Sequence, residues 1–96
     1  MDVLLHISAA KAAAIAGPLA RALDRSGAAW GCFLTNDGVR ALEDAGFATA
    51  IRGAARAVVC EHSWDLHGGG GDCPVELGSQ TVNSALMEDA ARVVSL

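Results

Sequence analysis

The residues best equipped for chemistry in this chain are its thiols and imidazoles. Cys60 follows the apolar run Ala57-Val58-Val59, where a buried strand should end. A thiol is a nucleophile as its thiolate, which a cation, a histidine or a helix amino terminus favours. His62, His67 and the backbone amides around Ser79 and Gln80 are the candidates to supply that stabilisation. The opposing reading of Cys60 is a buried, inert thiol. Cys73, next to Pro74, is either a resolving partner for an oxidised Cys60 or an incidental surface thiol. Cys32 lies between Trp30 and Phe33 in an apolar run and reads as core.

Cys60, His62, His67 and Cys73 also form a soft-ligand set with the spacing C-x-H-x4-H-x5-C. That matches neither common zinc spacing, and ligands one residue apart on an extended segment point to opposite sides. No metal is assigned on this basis. The glycines from Gly68 to Gly71 fit neither phosphate-loop pattern, and Glu61, Asp65, Asp72 and Glu76 around them repel anions. Asp37 reads as a helix cap and His6 as a hydrogen-bonded core residue. No Ser-His-Asp or paired-carboxylate arrangement follows from the spacings, and no cofactor is implied.

These groups need strands and helices to bring them together. Residues 2–7 and 28–35 are apolar runs suited to strands buried on both faces. Residues 56–60 form a third strand, and residues 92–96 a last one. Between the first two, residues 9–25 predict an Ala-rich helix closed at Ser26-Gly27, which Pro18 should kink or divide. Residues 39–45 predict a short helix capped by Asp37, and residues 47–55 one or two helical turns. Residues 61–76 read as a polar, Gly-rich loop. Ser79 caps a helix running to about Ala90, with Val82, Ala85, Leu86 and Asp89-Ala90 as its inward stripe.

Strands alternating with helices imply a parallel sheet of about four strands covered on both faces. In such sheets reactive groups gather beyond the carboxyl ends of the strands. Ile7-Ser8, Thr35-Asn36-Asp37 and Cys60-Glu61-His62-Ser63 should meet there. The connection ending at Ser79 should return the last helix's amino end toward Cys60.

Composition narrows the function classes. The chain has 96 residues, enough for one domain, and 52% are hydrophobic, which excludes disorder. Eleven acidic against seven basic residues leave a formal charge of −4, so a phosphate-neutralising nucleic-acid face is not expected. Lys11, Pro18 and Arg21 interrupt the longest apolar stretch, so no membrane span is expected. The opening residues lack the pattern of a secretory signal, and three cysteines are too few for a disulfide scaffold. Both point to the cytoplasm. With four aromatic residues, Trp30, Phe33, Phe47 and Trp64, to fill the core, assembly into an oligomer should assist stability.

Three segments carry a family resemblance: FLTNDGVRAL (33–42), AVVCEHS (57–63) and GSQTVNSALMEDAARVVSL (78–96). Together they resemble the DsrE-like (DsrE/TusD) sulfur-relay family over about two thirds of the chain. The resemblance implies a small flavodoxin-like three-layer α/β domain that assembles as a trimer or hexamer, of one kind of chain or of unlike chains. It implies that Cys60, after the third strand, carries sulfane sulfur as a persulfide between a protein donor and a protein acceptor. Two alternatives stand beside it, the first motivated by the Cys/His-rich loop. One is a non-catalytic oligomeric module that binds a metal or small ligand; the other is a structural subunit of a mixed ring.

Overall fold

The most apolar segments stand side by side in the middle of a parallel sheet. The computed structural model describes residues 1–68 and 71–96. Its strands are β1 (Val3–Ile7), β2 (Trp30–Leu34), β3 (Arg56–Cys60), β4 (Glu76–Gly78) and β5 (Arg92–Ser95). They run in the order β4-β3-β2-β1-β5, each neighbouring pair parallel. Central β2 is buried along its whole length, which is why Trp-Gly-Cys-Phe-Leu shows no polar alternation. The edge strands β4 and β5 are short and mostly exposed.

Among the described residues the sheet therefore has five strands rather than about four. The additional strand, β4, is only three residues long and carries no apolar run to announce it. Backbone pairing to β3 holds it, together with the Arg56 guanidinium, which donates to the Glu76 carboxylate at 2.6 and 3.2 Å.

Among the described residues four α-helices connect the strands: α1 (Ala13–Ser26), α2 (Ala45–Ala50), α3 (Glu61–His67) and α4 (Gln80–Asp89). A 3-10 turn, Ala10–Ala12, leads into α1. Ala13, Ala16, Gly17 and Ala20 form its buried side, and such small residues let a helix lie close to a sheet. Gly27 ends it in the left-handed conformation at φ 77°, as glycine readily does. Pro18 does not divide α1. It and Ala14 are both exposed, so water can reach the carbonyl left without a partner.

Residues 36–43 depart from the expected α-helix and form a 3-10 helix, Asn36–Glu43, led by Thr35 with no side-chain cap. Gly38 is pressed against the end of β1, where a Cβ would collide with the Ile7 carbonyl. Asp37 is therefore not the cap. The expected turns in residues 47–55 are α2, capped by the Asp44 carboxylate accepting from the Phe47 amide at 2.9 Å, and a 3-10 turn, Ile51–Gly53.

The largest difference lies in residues 61–76, expected to be loop throughout. They begin with α3 directly after β3 and end in β4. The Trp64 indole N–H donates to the Gly71 carbonyl at 3.3 Å and ties the following segment back to the helix. Gly69 and Gly70, within the glycine run singled out above, lie outside the described residues.

Strand alternation divides the core. Leu5, Ile7, Trp30, Cys32, Leu34 and Val59 pack with the buried residues of α1 and α2. Leu4, Phe33, Val58 and Cys60 pack with Leu86 of α4 on the opposite side. The steps from β1 to β4 move one way across the sheet. The return from β4 to β5 moves the other way, and a right-handed crossover then puts α4 on the second face. Asn83 and Leu86 are the buried residues of α4, while Ala85, expected inward, is exposed. Among the described residues no helix is long and apolar enough to cross a membrane.

Candidate functional site around Cys60

Register places Cys60 at the carboxyl end of β3, on the face covered by α4. The same residue occupies the cap position of α3, with extended backbone at φ −61° and ψ 118°. Cys-x-x-Ser then brings Ser63 round by one helical turn, so its side chain returns toward residue 60. Cys60 closes no regular capping bond. Its surroundings are nevertheless rich in donors.

Burial alone would push the Cys60 thiol up. The Ser63 hydroxyl and amide, the Gln80 side-chain amide and the His62 amide outweigh it, and the pKa falls below the ordinary thiol value. These contacts are looser than ideal hydrogen bonds, since Cys60 makes no capping bond. They act on the sulfur as a converging set of N–H and O–H dipoles. Cys32 shows the opposite balance. It is fully buried in β2, and burial pushes its thiol up to about 12 despite a backbone contact from Val58.

A polar chain surrounds the thiol. Ser63 Oγ accepts from the Asn36 backbone N–H at 2.8 Å and lies 3.3 Å from Thr35 Oγ1. Gln80 Nε2 donates to Thr35 Oγ1 at 3.3 Å, and Asn83 Nδ2 donates to Gln80 Oε1 at 3.2 Å. Asn36 adopts a positive φ of 51°, a conformation asparagine tolerates better than most side chains. Thr35, Ser63 and Asn83 are 7%, 4% and 7% exposed and are the buried polar residues among those described. All three belong to this chain beside Cys60. Burying a polar group is costly unless it is satisfied, so this concentration of them at one thiol is a built feature.

The expected meeting of segments occurs in part. Thr35 and Asn36 reach Ser63, and α4 brings Gln80 to Cys60. Gln80 acts through its side chain, whereas its backbone amide was the expected donor. Ser79 caps α4 by accepting from the Val82 amide at 3.4 Å. His62 contributes its backbone N–H to the thiol, and its side chain is exposed. His67 Nδ1 lies 3.2 Å from Asp37 Oδ1 and is not among the groups acting on the Cys60 thiol. Cys73 packs against the α1/α2 side of the core, whereas Cys60 packs on the α4 side, so the structure does not pair them. His6 stacks on Phe33 with ring centroids 6.2 Å apart, and burial lowers its pKa.

Cys60 itself is not at an open rim: it is 6% exposed. Gln80, whose side chain acts on the thiol, is exposed. Among the described residues no group of three or more His, Cys, Asp or Glu side chains could hold a metal ion. Among the described residues, one groove is lined by Lys11, Arg40 and Asp44 and another by Leu42, Ile51 and Pro74, and neither includes Cys60.

Sequence reasoning brought Thr35 and Ser63 to the strand ends without giving either a role, and missed Asn83. The Cys-x-x-Ser spacing is a legible signal for Ser63 once a helix is allowed to start at Glu61. Nothing in the local pattern distinguishes Asn83 from a solvent-facing helix residue. No family model, no curated protein and no solved structure matches this chain.

Proposed function

We propose that the chain is a sulfur-relay protein that carries sulfane sulfur as a persulfide on Cys60 and passes it to a partner protein. The observation that carries this reading is a hydrogen-bonded chain of Thr35, Ser63, Gln80 and Asn83, of which Ser63 and Gln80 face one thiol of lowered pKa. The resemblance of residues 33–42, 57–63 and 78–96 to the DsrE-like family supports it. So does a parallel sheet with helices on both faces, which is compatible with a flavodoxin-like arrangement and here reverses its strand order between β1 and β5.

In the loading step the Cys60 thiolate attacks the outer sulfur of a donor persulfide, R–S–SH. A new S–S bond forms at Cys60 as the donor's S–S bond breaks, and the donor leaves as R–S⁻. The proton of the new Cys60–S–SH passes to R–S⁻, giving Cys60–S–S⁻ and R–SH. No net oxidation occurs. In the second step an acceptor thiol R'–SH gives its proton to the outer sulfur, and its thiolate attacks that sulfur; the Cys60 S–S bond breaks, releasing the Cys60 thiolate and R'–S–SH.

The near-burial of the thiol fits this chemistry on one condition. The side chains over the 6%-exposed thiol must give way to a partner, and exposed, unbranched Gln80 beside it moves quickly. The added sulfur then stands about 2 Å beyond Sγ, moving the reacting atom outward. Donors from Ser63 and Gln80 that favour a thiolate also favour a terminal persulfide anion.

The reading places the protein in the cytoplasm, as a trimer or hexamer of one chain or as part of a mixed ring, with protein donor and acceptor. Its test is a load-and-discharge experiment. Sodium polysulfide should add about 32 Da, one sulfur, to the Cys60 peptide, and excess cysteine should remove it. Loading that is unchanged in Cys60→Ser contradicts the proposal.

A further inference from the structure

The polar chain has a direction, and one residue sets it. We infer that Asn83 is a positioning residue that aims the Gln80 amide N–H2 at the Cys60 sulfur. This rests on the thiolate reading of Cys60 above, and extends it to a residue that does not touch the thiol through any described contact.

A glutamine side chain can present either its N–H2 or its oxygen to a neighbour, and the surrounding hydrogen bonds decide which. Here Gln80 Oε1 is occupied, because Asn83 Nδ2 donates to it at 3.2 Å. The nitrogen end is thereby turned toward Thr35 Oγ1, to which it donates at 3.3 Å, and toward Cys60. Reversal of the amide would set its oxygen against the sulfur, an arrangement that suits a protonated thiol and repels a thiolate.

Asn83 is an improbable residue for its site on packing grounds. It is 7% exposed, on the same side of α4 as Leu86, and its Oδ1 has no hydrogen-bond partner. A buried acceptor left unsatisfied is destabilising, and leucine would fill the position without that cost. Asparagine does one thing here that leucine cannot, which is to donate to Gln80. Thr35 works in the same direction. Its oxygen receives the Gln80 proton, leaving its own O–H free to point to Ser63 Oγ. With Asn36 N–H also on Ser63 Oγ, the serine's remaining hydrogen is directed to Cys60.

The test is a double-mutant cycle read by the pH dependence of iodoacetamide alkylation at the Cys60 peptide. Asn83→Leu and Gln80→Ala should each raise the midpoint and slow alkylation by about two- to threefold at pH well below it. In the Gln80→Ala background, Asn83→Leu should cause no further change. Asn83→Ala, carried through the same cycle, separates loss of the donor from any effect of the larger side chain, and thermal melting confirms folding of each variant. Asn83→Leu should melt at or above the wild-type temperature. An unshifted midpoint in both Asn83 variants, or an equal shift with and without Gln80, overturns the inference. Alkylation reads thiol ionisation without any sulfur donor, so a wild-type midpoint in the ordinary thiol range would count against the thiolate reading itself.

Discussion

Ser63→Ala removes the hydroxyl that faces Cys60 and also anchors Asn36 and Thr35. A hydrogen bond to a charged group is worth about 1.5–3 kcal/mol, and the loose approach to sulfur places this one near the lower end. A loss of about 1.4 kcal/mol reduces the thiolate population roughly tenfold at pH well below the midpoint. The more basic thiolate is also the better nucleophile, which recovers a little under half of that change on a logarithmic scale. Iodoacetamide should therefore alkylate Cys60 about three- to fourfold more slowly at low pH, and faster than wild type on the alkaline plateau. The crossing of the two pH profiles is the signature. A rate lowered by the same factor at every pH would mean that Ser63 controls access, and an unchanged profile would refute its electrostatic role. The variant also strands the Asn36 amide, so stability should fall by about 1–2 kcal/mol, measured by urea denaturation.

Two other consequences follow from the fold and the proposed assembly. Gly38→Ala forces a Cβ into the Ile7 carbonyl, an overpacking against backbone that should cost about 2–3 kcal/mol and lower the melting temperature by roughly 10–20 °C. A variant melting within a few degrees of wild type would mean that the 36–43 segment is not pinned to β1. Light scattering at micromolar concentration should give the mass of three or six chains. A strict monomer would contradict the ring.

Much of the fold was legible because central parallel strands are apolar on both faces. Residues 56–60 are the observed β3, and β1, β2 and β5 lie within the predicted runs. Gly27 and Ser79 ended and began helices as their chemistry requires. What escaped detection was short and held by long-range contacts. The strand Glu76–Gly78 depends on β3 and on Arg56, far away in sequence. α3 was hidden because Glu61, His62 and Asp65 look like loop residues, and a seven-residue helix has little room for an apolar stripe. Cys60 stood out by its place after an apolar strand. Thr35 was placed near it but without a role, because its partner lies on another element, and Asn83 did not stand out, because only packing defines its helix face.

The three free cysteines provide an internal comparison. Brief exposure to substoichiometric sodium polysulfide at neutral pH, followed by peptide-resolved mass analysis, reports which sulfur reacts first. The account predicts that Cys60 is persulfidated ahead of the half-buried Cys73, while Cys32 stays unmodified until the protein unfolds. Preferential loading of Cys73, with Cys60 no more reactive than Cys32, would contradict it.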